Sequence, residues 1–314
     1  MNYHEFQTTI LKMVRERITE GWMPGAAAVT KMLTKNNGME VCGLFIRKEG
    51  ETLAPAIYLE SYYDMFLAGQ DMGHILDLIC RRYESAGGRM PVKMSSPENF
   101  EEVKPFIIYR IVNLERNKEL LRSCPCVPLL DLAVTFRWLV LSDEDSISSA
   151  MITNEQMDFW GLDVKDLLEL ARINTSRLFP AQIRPMAETV YQMCSMYEGF
   201  EDTDESFFLT EPDRGTSLPM YILSNKKGIN GATCMIYENV LKDFARRLEE
   251  GFYILPSSIH ELILVPESWV EDPAELSVMV REVNEAIVPL DEILSDSVYH
   301  FDREKNSLEL AVCA

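Results

Sequence analysis

The sequence predicts an α+β fold of mostly antiparallel sheets covered by helices, with the chain divided into two units. Short apolar runs arrive in adjacent pairs around turn residues, the pattern of hairpins rather than of long crossovers. Between the pairs lie stretches with apolar residues at helical spacing. Near residue 123 a proline-containing connector coincides with a change in charge balance. A length of 314 residues suits two units, at roughly 100–200 residues each. With 47% hydrophobic and 25% charged residues, the chain is neither disordered nor collagen-like nor a coiled coil.

The first helix is predicted from Phe6, Ile10, Met13, Val14 and Ile18 on one stripe, ending near Gly21. Asn37-Gly38 between apolar runs signals a type I′ hairpin. Its second strand is expected at residues 41–47, and a turn at 49–51 leads to a third at 54–59. Tyr62, Tyr63 and Phe66 mark helical sequence. Asp71 is placed to cap a helix with Ile75, Leu78, Ile79 and Tyr83 inward, closed by Gly87-Gly88. Residues 106–112 read as a strand by their Ile, Tyr and Val content, and 113–122 as helix. Ser123-Cys124-Pro125-Cys126-Val127-Pro128 reads as a stiff connector. The expected units are therefore 1–122 (a helix, a β-meander and further helices) and 123–314 (an α+β domain), with an alternative cut after Leu141, before the acidic stretch Asp143-Glu144-Asp145.

In the second unit, strands are expected at 132–141 and 146–152. Thr153 opens a capping box with Gln156, and Asp163 caps a helix with Val164, Leu167, Leu168 and Ala171 inward. A helix follows at 185–196, then an acidic loop at 198–205. Short strands are predicted at 220–224 and 232–236, around a turn at 225–228. A helix bearing Tyr237, Val240, Leu241, Phe244 and Leu248 closes at Gly251. Strands at 252–255 and 262–265 flank a turn. Asp272, Pro273 and Glu275 start a helix with Leu276, Met279, Val280, Val283 and Ile287 expected inward, stopped by Pro289. A hairpin at 298–302 and 308–312 ends the chain.

The chain carries 50 acids against 30 bases. Residues 1–122 hold 16 of each, so the whole formal charge of −20 falls in 123–314. Such a polyanion repels phosphates, which argues against direct nucleic-acid binding. No run reaches the ~18 apolar residues needed to span a bilayer, and the N-terminus lacks a basic start and apolar centre. Seven cysteines, an odd number, suit reduced thiols and a cytoplasmic location.

Several segments point to a family. They are Lys35-Asn36-Asn37-Gly38, Gly43-Leu44, and 54–60 with Tyr62-Tyr63; then Asn113-Leu114-Glu115-Arg116-Asn117 with Leu120-Leu121, Pro125 and Asp131-Leu132-Ala133; and finally 253–261 and Leu294-Ser295-Asp296-Ser297-Val298-Tyr299. Together they resemble an uncharacterised family of proteins of this size from anaerobic gut bacteria, often near mobile elements. The resemblance covers nearly the whole chain and implies no activity, because none is assigned to that family. Residues 153–179 and the end of the chain are also similar to a second uncharacterised bacterial family.

Chemistry-bearing motifs are sparse. Neither a P-loop nor a dinucleotide fingerprint occurs, and Gly228-Ile229-Asn230-Gly231 reads as a turn. Cys124 and Cys126 lack a second ligand pair, and the four histidines form no H-E-x-x-H, so no metal and no cofactor is expected. For nucleophilic catalysis the candidates are Ser257, Ser258 and His260, with Glu261 beside them. Glu261 points away from His260 in extended chain, so the favoured reading is a structural turn with its hydroxyls on backbone and His260 partly exposed. Arg110, Asn113 and Asn117 are candidates for a polar binding face, although capping competes for the two asparagines. Met186, Met193 and Met196 are candidates for an adaptable groove. The expected function is that of a non-catalytic cytoplasmic protein that binds a protein partner through its acidic half, without nucleic acid or membrane. A hydrolase-like enzyme using the His260 region and an acidic nucleic-acid mimic are the alternatives.

Overall fold

A computed structural model describes residues 1–48, 54–87, 98–142, 147–195 and 219–312. The expected turns at 49–51 and acidic loop at 198–205 lie outside these residues, as does Met196. The class is α+β, with antiparallel sheets. The chain divides into two compact units, Met1–Glu102 with Leu139–Ala150, and Val103–Trp138 with Met151–Ala314.

In the first unit, helix α1 (Tyr3–Thr19) opens with a reciprocal cap: Asn2 Oδ1 accepts the Glu5 N–H and Glu5 Oε2 accepts the Asn2 N–H, both at 2.9 Å. Strands β1 (Ala26–Thr34) and β2 (Glu40–Lys48) pair from Ala26 opposite Lys48 to Thr34 opposite Glu40. Their turn puts Asn37 at φ 58° and Gly38 at φ 73°, the left-handed pair that a type I′ turn requires. β3 (Ala56–Tyr58) extends the sheet beyond β2. Cys42, Leu44 and Ile46 alternate onto one face, where Phe6, Ile10 and Val14 of α1 close over them. Helix α2 (Glu60–Leu67) follows, and α3 (Met72–Gly87) adds Ile75 and Ile79 to the same core. Each such side chain is worth about 1.5–3 kcal/mol when buried, and a one-residue slip of β2 would expose all three of its contributions. A single turn, α4 (Phe100–Val103), follows.

The second unit contains β4 (Ile107–Asn113), α5 (Lys118–Leu121), β5 (Cys126–Leu129) and β6 (Leu132–Ser142), with sheet order β4-β6-β5. β6 continues into the first unit beyond Trp138 and pairs there with β7 (Ile147–Met151). Helices α6 (Asn154–Phe159) and α7 (Val164–Leu178) carry the expected caps from Thr153 and Asp163. α7 lies on β4 through polar contacts: Thr175 Oγ1 accepts the Tyr109 N–H at 3.1 Å, and Asn174 Nδ2 donates to the carbonyls of Lys104 and Ile107. The larger sheet comprises β8 (Ala181–Pro185), β9 (Tyr221–Asn225), β10 (Phe252–Pro256), β11 (Leu262–Pro266), β12 (Val298–Asp302) and β13 (Ser307–Val312). Its order is β13-β12-β10-β11-β9-β8. Helix α8 (Met186–Ser195) follows β8, α9 (Val240–Leu248) precedes β10, and α10 (Pro273–Ala286) follows β11.

The structure departs from the sequence expectations at several points. The units part at 102/103 rather than 122/123, because β4 pairs with β6 over seven residue pairs, from Ile107 opposite Trp138 to Asn113 opposite Leu132. The second half of the expected 123–128 connector, from Cys126 on, is in strand β5. Among the described residues β5 has only β6 as a neighbour, so Pro128 sits at a sheet edge, where a missing N–H is tolerated. Residues 231–236 form a 3-10 helix instead of a strand, entered through Asn230 in the left-handed region at φ 52°. On α10, Leu276, Ser277, Val280 and Asn284 are buried, whereas Met279 and Val283, and the C-cap residue Ile287, are exposed.

Candidate functional site

Ser257, Ser258, His260 and Glu261 form the turn between β10 and β11. Ser258 Oγ accepts the backbone N–H of His260 at 3.0 Å, and the Ser258 N–H reaches the Glu261 carbonyl at 3.2 Å. Ser257 Oγ donates to Glu261 Oε1 at 3.4 Å. The imidazole of His260, 31% exposed, is held from the other side. Its Nδ1 accepts the Asn230 N–H at 3.1 Å, and its Nε2 stands 3.6 Å from Glu292 Oε1. A general base needs a free imidazole lone pair aimed at the nucleophile. Here the Nδ1 lone pair is occupied, so in the neutral ring the proton belongs on Nε2, which faces a carboxylate. Ser257 and Ser258 lie beside His260 in the chain, but Ser257 bonds Glu261 and Ser258 bonds the backbone of His260, not its imidazole.

Backbone contacts complete this turn. The His260 carbonyl accepts from Ser224 Oγ at 2.8 Å, the Ile259 carbonyl from the Ala232 N–H at 3.2 Å, and the Glu292 carbonyl from the Ile259 N–H at 2.8 Å. Gly231 is wedged among these groups. A Cβ there would run into Ser224 Oγ and the His260 carbonyl, and would lie 2.8 Å from the Asn225 nitrogen. Gly231→Ala is therefore expected to destabilise the protein by about 2 kcal/mol, the scale of an overpacked interior, with no change in secondary structure. Denaturant unfolding that places the variant within 0.5 kcal/mol of wild type (about the surface-substitution range) would contradict the packing described.

Asn113 and Asn117 are brought together, both nearly buried. Asn117 Nδ2 donates to the Asn113 carbonyl at 2.9 Å, and Asn113 Oδ1 accepts the Arg116 N–H at 2.9 Å. Asn113 Nδ2 reaches the carbonyl of Leu294 at 3.2 Å. Arg110 lies an odd number of residues along β4 from Asn113, so its side chain belongs to the opposite face of that sheet.

Sequence reasoning missed the hub next to this pair. Asp131 stands at the β5–β6 turn, after Leu130 with its left-handed φ of 56°. Its Oδ1 accepts from the Tyr299 hydroxyl at 2.7 Å, its Oδ2 from Ser295 Oγ at 2.5 Å, and its carbonyl from the Leu114 N–H at 2.9 Å. Ser295 Oγ in turn accepts the Ser297 N–H. Asp296 pairs with Arg116 at 2.5 Å and accepts from Asn284 Nδ2 at 2.7 Å. Burial and the neighbouring Asp131 carboxylate push the fully buried Tyr299 phenol well above its ordinary value, so it stays a donor. The segments 113–117, 131–133 and 294–299, which carry the family resemblance, thus meet in one hydrogen-bonded network. Each of its carboxylates is engaged by side chains of the chain itself, an arrangement suited to holding segments together rather than to turning over a substrate.

The remaining reactive groups are quiet. Burial pushes the Cys124 thiol up to about 11 and raises that of Cys126, the reverse of what a redox cysteine requires. Among the described residues no group of three or more His, Cys, Asp and Glu is disposed to hold a metal ion. A cleft of about 420 Å³ between α7 and the start of α9 is bordered by the Arg172–Glu238 ion pair. The Tyr237 hydroxyl on its wall donates to the Phe179 carbonyl at 3.1 Å, and burial raises its pKa. No described helix is long and apolar enough to cross a membrane. A family model described as a family of unknown function, DUF5688, matches residues 3–303. No curated protein and no solved structure matches the chain.

Proposed function

The chain belongs to DUF5688, a family of unknown function, and on that premise we propose that it is a non-catalytic protein that works by binding another protein through its acidic half. One contrast carries the reading. The side chains with catalytic potential are bonded into turns and networks, whereas apolar side chains of α10 stand in water on the part of the chain that holds the charge of −20. Polar groups already paired inside the fold contribute little to a substrate site. Exposed apolar groups in a charged surround are the composition of a recognition surface. The free thiols of Cys42, Cys80, Cys124, Cys126 and Cys234 support a reducing compartment, which we take to be the cytoplasm.

The test against an enzymatic role is direct. Purified protein is expected to hydrolyse no generic ester or amide substrate above the level of a His260→Ala control. Turnover that disappears in His260→Ala while the unfolding midpoint is unchanged would replace the binding reading with a hydrolytic one.

A further inference from the structure

We propose that the exposed apolar stripe of α10 docks a basic amphipathic helix of another protein, an inference that rests on the binding function above. Met279 and Val283 of α10, with the C-cap residue Ile287 just past its end, follow one another at i, i+4 and i+8 and are 42%, 38% and 77% exposed. The buried face of the same helix is formed by Leu276, Ser277, Val280 and Asn284. The stripe therefore flanks the buried face, and the apolar arc of α10 is wider than the arc its own unit covers. Single exposed apolar residues are ordinary on any surface, but a row in helical register is the shape that a second helix packs against. At 1.5 Å per residue it runs for about 12 Å, enough for anchors on two turns of a partner.

Charge selects the occupant. Glu275 and Glu282, both exposed, sit one turn before and one turn after Met279, on the solvent side of the stripe. Neither carboxylate has an ion-pair partner among the described residues. A second copy of this chain would bring the same acids, and a charge of −20, against their counterparts. An anionic membrane or a nucleic acid meets the same repulsion. A helix with apolar residues at i, i+4 and i+8 and Lys or Arg beside them satisfies both features, burying the stripe while its cations face the two glutamates.

The probe is a synthetic helical peptide with leucines at that spacing and lysines elsewhere, titrated against the full chain by fluorescence anisotropy. Its counterpart carries glutamate in place of lysine. The lysine peptide is expected to bind, and Ile287→Asp to weaken it by at least about tenfold, because it puts a carboxylate where the most exposed apolar side chain of the stripe is to be buried. The double change Glu275→Lys and Glu282→Lys should weaken it several-fold and flatten its dependence on salt. All three positions are exposed, and circular dichroism verifies that the variants fold. Equal binding of the glutamate peptide, or lysine-peptide binding unmoved by Ile287→Asp, overturns the proposal. So does a wild-type dimer in sedimentation, or association with phosphatidylserine-containing vesicles, that Ile287→Asp abolishes. If the peptide fails while Ile287→Asp protein still retains a protein partner in its own cells, this surface is wrong and the binding function stands. If the wild-type protein retains no partner there either, both fall.

Discussion

Asp131→Ala is expected to cost about 4 kcal/mol of unfolding free energy, because it strands two buried hydroxyls at roughly 1–3 kcal/mol each and removes charge-assisted bonds. Tyr299 is fully buried with its hydroxyl 2.7 Å from Asp131 Oδ1, and Ser295 Oγ is 2.5 Å from Oδ2. Once the carboxylate is gone, the hydroxyl of the fully buried Tyr299 has lost its charged acceptor. Tyr299→Phe alone should cost less, since Asp131 is partly exposed and water can replace the lost donor. The two changes should not add. On the Tyr299→Phe background, Asp131→Ala should lose at least about 1 kcal/mol of its effect. Additive losses in denaturant unfolding would mean that the two side chains are not coupled.

Phe252→Ala is expected to cost about 3–5 kcal/mol. Phe252 is fully buried on β10, with the Phe301 ring stacked at 5.4 Å between centroids and the Phe244 ring edge-on at 5.0 Å. Truncation removes the middle ring of three, leaving a cavity bounded by a strand and a helix that cannot close independently. Phe252→Leu refills most of that volume and should recover more than half of the loss. A loss below about 1 kcal/mol for the alanine variant would contradict a close-packed core at this position.

Local signals in the sequence were reliable where one residue type has one conformational use. Asn37-Gly38 specified its turn, because few other residues accept two successive left-handed positions. Thr153, Asp163 and Asp272 specified helix starts, since their side chains supply acceptors for orphan N–H groups. The stripe of α1, and Ile75, Ile79 and Tyr83 of the stripe on α3, named part of the core of the first unit, while Leu76 and Cys80 were missed. Sequence reasoning failed where tertiary neighbours decide. The run 232–236 is apolar and short, equally compatible with strand or buried turn, and only its contacts with Asn225, Ile259 and His260 choose. β8 is four half-buried residues followed by an exposed proline, with no alternation to reveal it. The connector at 123–128 has the prolines of a linker, yet from Cys126 on it lies along β6 as an edge strand.

The α10 helix failed in a more informative way. Its periodicity placed Met279, Val283 and Ile287 inward with Leu276 and Val280, as it would for any helix whose whole apolar arc is covered. The structure covers only part of that arc. The polar hub was hidden for the opposite reason. Asp131, Ser295 and Asp296 are ordinary turn residues in sequence, in an acidic chain where carboxylates discriminate nothing. Their role exists only because strands β4, β6 and β12 bring three distant segments together. Asn113 and Asn117 could be read as a polar pair one turn apart, but their partners could not.

The central claim, a protein that acts by holding a partner rather than by transforming a substrate, is tested most directly on the endogenous protein purified gently from its own cells at low ionic strength. The account predicts a stoichiometric second protein that elutes with the chain and separates as salt rises, because screening cuts the reach of surface charge to about 8 Å at physiological ionic strength. The chain eluting alone at every ionic strength would contradict it.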